Sequence, residues 1–145
     1  MPASKAEQVL EAIKALLKTL PGVTIERNSV LPEKVPAGGL IILRDGDPGE
    51  PEQALGSFVN AYYRHAVEIE VYIEEGDAAA RDSAFDDLLQ QIGAALEADP
   101  TLGGVAFGMT YRRPEPAIEA IAGAPAIKSA TLSVTVDYES DAPLS

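Results

Sequence analysis

Between Val67 and Glu74 apolar and polar residues alternate without a break. Val67, Ile69, Val71 and Ile73 take one parity and Glu68, Glu70, Tyr72 and Glu74 the other. Successive side chains on a strand point to opposite faces, so this run predicts a strand with one buried and one wet side. Ala130, Leu132, Val134, Val136 and Tyr138, interleaved with Thr131, Ser133, Thr135, Asp137 and Glu139, predict another. In two places the period changes to that of a helix. Ala6, Val9, Leu10, Ile13, Leu16, Leu17 and Leu20 form one apolar stripe. It is preceded by Ser4 and Glu7 in capping-box spacing and closed by Pro21-Gly22. Phe85, Leu88, Leu89, Ile92 and Leu96 form a second stripe, with Asp77 as N-cap, Asp86 and Asp87 facing outward, and Asp99-Pro100 as the stop.

The intervals supply the remaining elements. Val23-Thr24-Ile25 begins a short strand, and residues 28–36, with two prolines, read as a connection. The continuous apolar run within Gly39–Arg44 predicts a strand covered on both sides. Residues 45–57, dense in Gly, Pro and acid, read as a long exposed loop, either an interaction surface or simply flexible. The strand after it starts from Phe58. Gly103-Gly104 permit a tight reversal into a strand over 105–113, with Val105, Phe107, Met109 and Tyr111 on one side. The Pro/Ala/Gly stretch that follows predicts a bulge or an edge strand, and 140–145 a short acidic tail. Together these elements give one α+β domain over 1–145. It is a two-layer sandwich: a twisted mixed or mainly antiparallel sheet of about five strands, with two helices packed on one face.

Composition narrows the chemistry. The chain has 145 residues, no cysteine and one histidine, His65. Disulfides, thiolate nucleophiles and multi-histidine metal centres are therefore excluded within the chain. Eleven basic against 23 acidic residues give a net charge of −12, which repels nucleic acid and anionic membranes over most of the surface. The longest apolar run, Leu40–Leu43, is far short of a membrane span.

The candidate sites are weighed on the same grounds. Glu68, Glu70, Glu74 and Glu75 suggest a hard-cation site, but they lack a ligand loop, and a solvated sheet face is the simpler reading. Asp45-Gly46-Asp47 departs from a calcium loop because Pro48 interrupts the spacing. His65, beside Tyr62 and Tyr63, has no serine or cysteine nucleophile context, so a structural histidine is favoured over an acid or base. No phosphate-loop, dinucleotide or zinc-protease motif occurs, so no enzyme and no cofactor is expected. Candidate assembly residues are Asp45, Asp47, Glu50, Tyr62, Tyr63, Glu68, Glu70, Arg112 and Arg113: exposed acids, interface-type tyrosines and a paired cation.

The order LPGVTIERN, LIILRDGD, EIEVYIE, ALEADPTLGG and ATLSVTVDYES, from about Ala6 to Ser140, resembles the tail terminator and minor tail proteins of long-tailed bacteriophages and prophages, the lambda-type terminator among them. ADPTLGG, followed by the strand ending in Asp137-Tyr138-Glu139, is the most specific part. The resemblance implies a non-enzymatic α+β subunit that assembles in the bacterial cytoplasm as a hexameric ring. That ring caps the tail tube in the virion, ends its polymerisation and offers a surface for head joining. Its implied partners are further copies of the chain, the tail tube protein and a head-tail connector, with no membrane and no specific nucleic acid. A small-ligand-binding module, a carboxylate/His65 enzyme and another tail connector or completion protein are the alternatives.

Overall fold

The computed structural model of the chain describes residues 2–52, 60–120 and 123–145. Helix α1 spans Lys5–Leu17, capped by Ser4, whose Oγ accepts from the Glu7 amide at 3.2 Å. The Glu7 carboxylate does not return to the cap as a capping box requires; it reaches Arg27 instead. Strands β1 (Thr24–Arg27), β2 (Leu40–Asp47) and β3 (Ala61–Glu74) follow, then helix α2 (Ala78–Ala98) and a 3-10 turn at Leu102–Gly104. Strands β4 (Gly108–Tyr111), β5 (Ala117–Glu119) and β6 (Ile127–Ser140) complete the domain.

The sheet order is β1-β2-β3-β6-β4, with β5 also on β6; β1 and β2 run parallel and every other pairing is antiparallel. The expected α+β architecture is present, with six strands in place of about five. One parity of β3 and β6 forms a single core with the apolar stripes of both helices, including Val9, Ile13, Phe85 and Ile92. Leu40–Leu43 is buried throughout, as the continuous apolar run implies. Ile41 and Leu43 face the helices, whereas Leu40 and Ile42 are roofed on the far side by Val35, with Tyr72 and Ile127 packed beside them. Glu74 fixes that roof by accepting from the Val35 amide at 2.8 Å. It is a structural tie, not part of a solvated row.

Several boundaries differ from the sequence pattern. Residues 45–47 belong to β2, not to a loop, and 53–59 lie outside the described residues, as does the Phe58 start assigned to the next strand. The strand expected over 105–113 is only Gly108–Tyr111, and Phe107 is 61% exposed while Ala106 is buried. The cause is the ADPTLGG turn. Asp99 accepts from the Gly103 amide and Leu102 takes φ 52 with its side chain in the core; the irregular stretch before β4 turns Phe107 outward, while Val105, Met109 and Tyr111 pack on the core as expected. The expected tail does not hang free: Tyr63 donates to the Pro143 carbonyl and the Lys5 amide to that of Ser145, both at 3.2 Å.

The uncertain stretch after Tyr111 resolves into β5, and its geometry is informative. Tyr111 pairs with Val134 and Ala117 with Ser129, so six steps along one chain match five along the other. β4 and β5 are thus one edge strand broken by a single surplus residue, at a site where Pro114 and Pro116 cannot donate to a ladder.

Candidate assembly surface

The face of the sheet away from the helices is where most of the candidate residues meet. Across β3 and β6 it presents the pairs Tyr62–Glu139, Arg64–Asp137, Ala66–Thr135, Glu68–Ser133 and Glu70–Thr131. The β6 half is thus a floor of small hydroxyl side chains, continued by Thr110 of β4 opposite Thr135. A shallow groove of about 570 Å3 runs over Thr131, Ser133 and Thr135 and is walled by Arg112, Arg113 and Pro114. On the β3 side, Glu70 binds the Arg44 Nε at 3.1 Å and accepts from the Tyr72 hydroxyl at 2.7 Å. Burial first, and then that carboxylate, push the Tyr72 hydroxyl up to about 12. Glu68 is exposed on the same face.

Tyr62 lies at one end of this face, stacked on Phe107 with ring centroids 5.8 Å apart and planes 13° from parallel. The alternation places Phe107 on the same side as Val105, Met109 and Tyr111, but it lies before β4 begins at Gly108 and turns outward. Tyr63 must be corrected: its parity turns it to the helix side, where it is buried, stacks on Tyr138 and serves the core.

The remaining acids lie at the β2 side. Asp47 accepts from the Gly49 amide at 2.9 Å, forming a local turn, and Glu50 is exposed. The chain then runs beside β3, with Glu52 and Tyr62 exchanging both backbone bonds at 2.8 Å. Among the described residues no strand pairs with the far side of segment 47–52, so it forms an outer edge.

Asp45 is half-exposed and has a structural task. Its carboxylate takes the Arg27 Nε at 2.9 Å and the Asn28 amide nitrogen at 2.9 Å. Arg27 also holds Glu7 and Glu11, so one guanidinium joins α1, β1 and β2. Hydrogen bonds from Arg27 hold the Glu7 and Asp45 carboxyls below the usual carboxylate range. No periodicity pointed to this cluster, since its members come from three elements.

His65 is 2% exposed and has both ring nitrogens engaged. A carbonyl can only accept, so Nε2–H donates to the Asp45 carbonyl at 2.6 Å; in the neutral imidazole Nδ1 then accepts from the Tyr138 hydroxyl at 2.8 Å. Burial holds the Tyr138 hydroxyl up at about 12. The pair clamps β6 and the irregular part of β2 across β3. His65→Ala, which leaves a void, an unpaired buried Tyr138 hydroxyl and a part-buried Asp45 carbonyl without its donor, is expected to lower unfolding free energy by about 3 kcal/mol, against about 1 kcal/mol for Tyr138→Phe, in urea denaturation.

Among the described residues no helix is long and apolar enough to cross a membrane, and no three His, Cys, Asp or Glu side chains group as a metal site would need. No family model matches the chain, and no curated protein matches it. Among solved structures, a chain described as "Virion of native gene transfer agent (GTA) particle" aligns over 92% of this chain and 92% of its own length, at 16% identity and a TM-score of 0.34.

Proposed function

We propose that this chain is a structural subunit of a long-tailed phage or prophage virion, of the kind that closes the tail tube. In this role it assembles as a ring, ends tube polymerisation and receives the head through a connector; it catalyses no reaction. The observation that carries the reading is the half-covered sheet. One face is sealed by helices; the other offers an exposed Phe107 stacked on a half-buried Tyr62 and a shallow hydroxyl-floored groove. That is the form of an assembly surface, where a small-molecule site would be concave and largely enclosed. A buried His65 with both nitrogens bonded weighs against the carboxylate/His65 alternative. The net charge of −12 suits a lumen through which DNA passes without sticking.

The test is direct. Purified chain is added to growing tail tubes, tube length is followed by negative-stain microscopy, and the chain's own mass is followed by light scattering over a concentration series. Tubes should stop at uniform length with extra density at one end. Unchanged elongation and bare tube ends would overturn the proposal, whatever the chain's state in solution.

A further inference from the structure

Charge is distributed unevenly around the sheet. At the end where β3 begins, segment 47–52 forms one outer edge and β4 the other, with β3 and β6 between them. The first edge carries Asp47, Glu50 and Glu52, all exposed and, among the described residues, in no ion pair. The opposite edge runs straight into Arg112 and Arg113. These are the only two adjacent basic residues in the sequence, both exposed, with Arg113 touching Asp86 at 3.3 Å. Both line the groove floored by Thr131, Ser133 and Thr135, although the Arg113 guanidinium reaches Asp86 on α2.

Resting on the ring reading above, we infer that the Arg112–Arg113 groove receives the Asp47–Glu52 edge of a second copy of this chain. Charge complementarity selects that occupant. The Arg112 guanidinium beside a hydroxyl floor, with Arg113 next to it and held by only one long contact to Asp86, is suited to carboxylates, which guanidiniums bind with paired donors, and a copy of the chain brings three carboxylates in no ion pair among the described residues on a short exposed segment. The two patches lie on opposite edges of one molecule, so each copy can give one and receive one. Such a contact is heterologous: it propagates in one direction and closes into a ring when the rotation per copy allows. Asp47 and Glu52 stand in the rows of Ala66 and Tyr62, whereas Arg112 and Arg113 follow Tyr111, which is in the row of Val67, so neighbouring sheets would sit side by side with an offset of a few residues along the strands.

The absence of cysteine makes the test clean. Pro51→Cys and Glu115→Cys are introduced together, leaving all five charges in place, and the protein is oxidised at increasing concentration. The expected result is a non-reducing ladder of dimers, trimers and larger species. Each single variant, and Lys18→Cys paired with Glu115→Cys, should stop at dimers. On that background, Arg112→Glu/Arg113→Glu and, separately, Asp47→Lys/Glu50→Lys should each reduce the ladder by about tenfold or more. An equimolar mixture of the two reversed proteins should recover it, because their swapped edges attract again. Circular dichroism confirms that each variant is folded. A ladder indifferent to the reversals, or no ladder in a protein that still caps tubes, would overturn the assignment and leave the ring reading standing. A protein that neither cross-links nor caps tubes would sink both.

Discussion

Arg27→Met should lower the unfolding free energy by about 2–3 kcal/mol in urea denaturation. Removing one partner from a fully buried ion pair costs about 3–5 kcal/mol, because the other charge is left uncompensated. Here the guanidinium is 15% exposed and its partners Glu7, Glu11 and Asp45 are 41%, 53% and 48% exposed, so water recovers part of that loss. What remains is three carboxylates converging on a space that only a cation reconciles. Glu11→Gln, which removes a single exposed arm, should cost no more than about 0.5 kcal/mol.

The cluster also fixes the sign of a pH effect. Glu7 and Asp45 bind their protons at lower pH in the folded chain than in the unfolded one. Their contribution is complete above the unfolded carboxylate range near about pH 4 and drains away as pH falls through the lowered folded values. The parent protein should therefore lose stability between about pH 4 and 2 more steeply than Arg27→Met. Equal slopes in acid denaturation of the two proteins would show that Arg27 does not organise these carboxyls.

Gly46→Ala should be at least as costly, about 3 kcal/mol or more, and for a different reason. Gly46 has φ +69 inside the β2 irregularity between Arg44 and Asp47, and a Cβ there would stand 1.9 Å from the Ala66 carbonyl oxygen. Both the left-handed backbone and the clash involve main chain, so no side-chain rotation relieves them. That irregularity also aims the Asp45 carbonyl at His65 and its carboxylate at Arg27. Straightening it should weaken both contacts together. In a double-mutant cycle, Gly46→Ala with Arg27→Met should then cost clearly less than the sum of the two single changes. Simple additivity would show that the irregularity and the ion cluster are independent.

What the sequence made legible follows from where periodicity acts. The parities of 67–74 and 130–138 survive intact because each lies in a long strand with one covered face. The apolar run at Leu40–Leu43 correctly called for cover on both sides, though nothing in it said that Val35 and a glutamate would provide the second roof. Periodicity failed at Phe107, which lies before the strand begins at Gly108 and turns outward while Met109 and Tyr111 keep the expected side, and Tyr63 was misplaced because its parity was overlooked beside Tyr62. It was silent on Arg27, whose three carboxylates are close in space and distant in sequence. Of the proposed assembly residues, Tyr62, Glu68 and Glu70 do share a face with the groove below Arg112 and Arg113. Asp47 and Glu50 share the opposite edge, while Asp45 belongs to the half-exposed Arg27 cluster and Tyr63 to the core.

The proline-broken edge has a consequence for how the chain can tolerate change in length. β4 and β5 are anchored independently to the same strand, and the slack between them is already one residue. A residue inserted beside Glu115 enlarges that slack without moving either register, and the entropy of closing a loop grows only slowly with its length. The same insertion inside Ala61–Glu74 would turn half of the strand's core side chains out into water. The wall of the groove is therefore the part of this sheet whose length is freest to vary while the core beneath it keeps its packing.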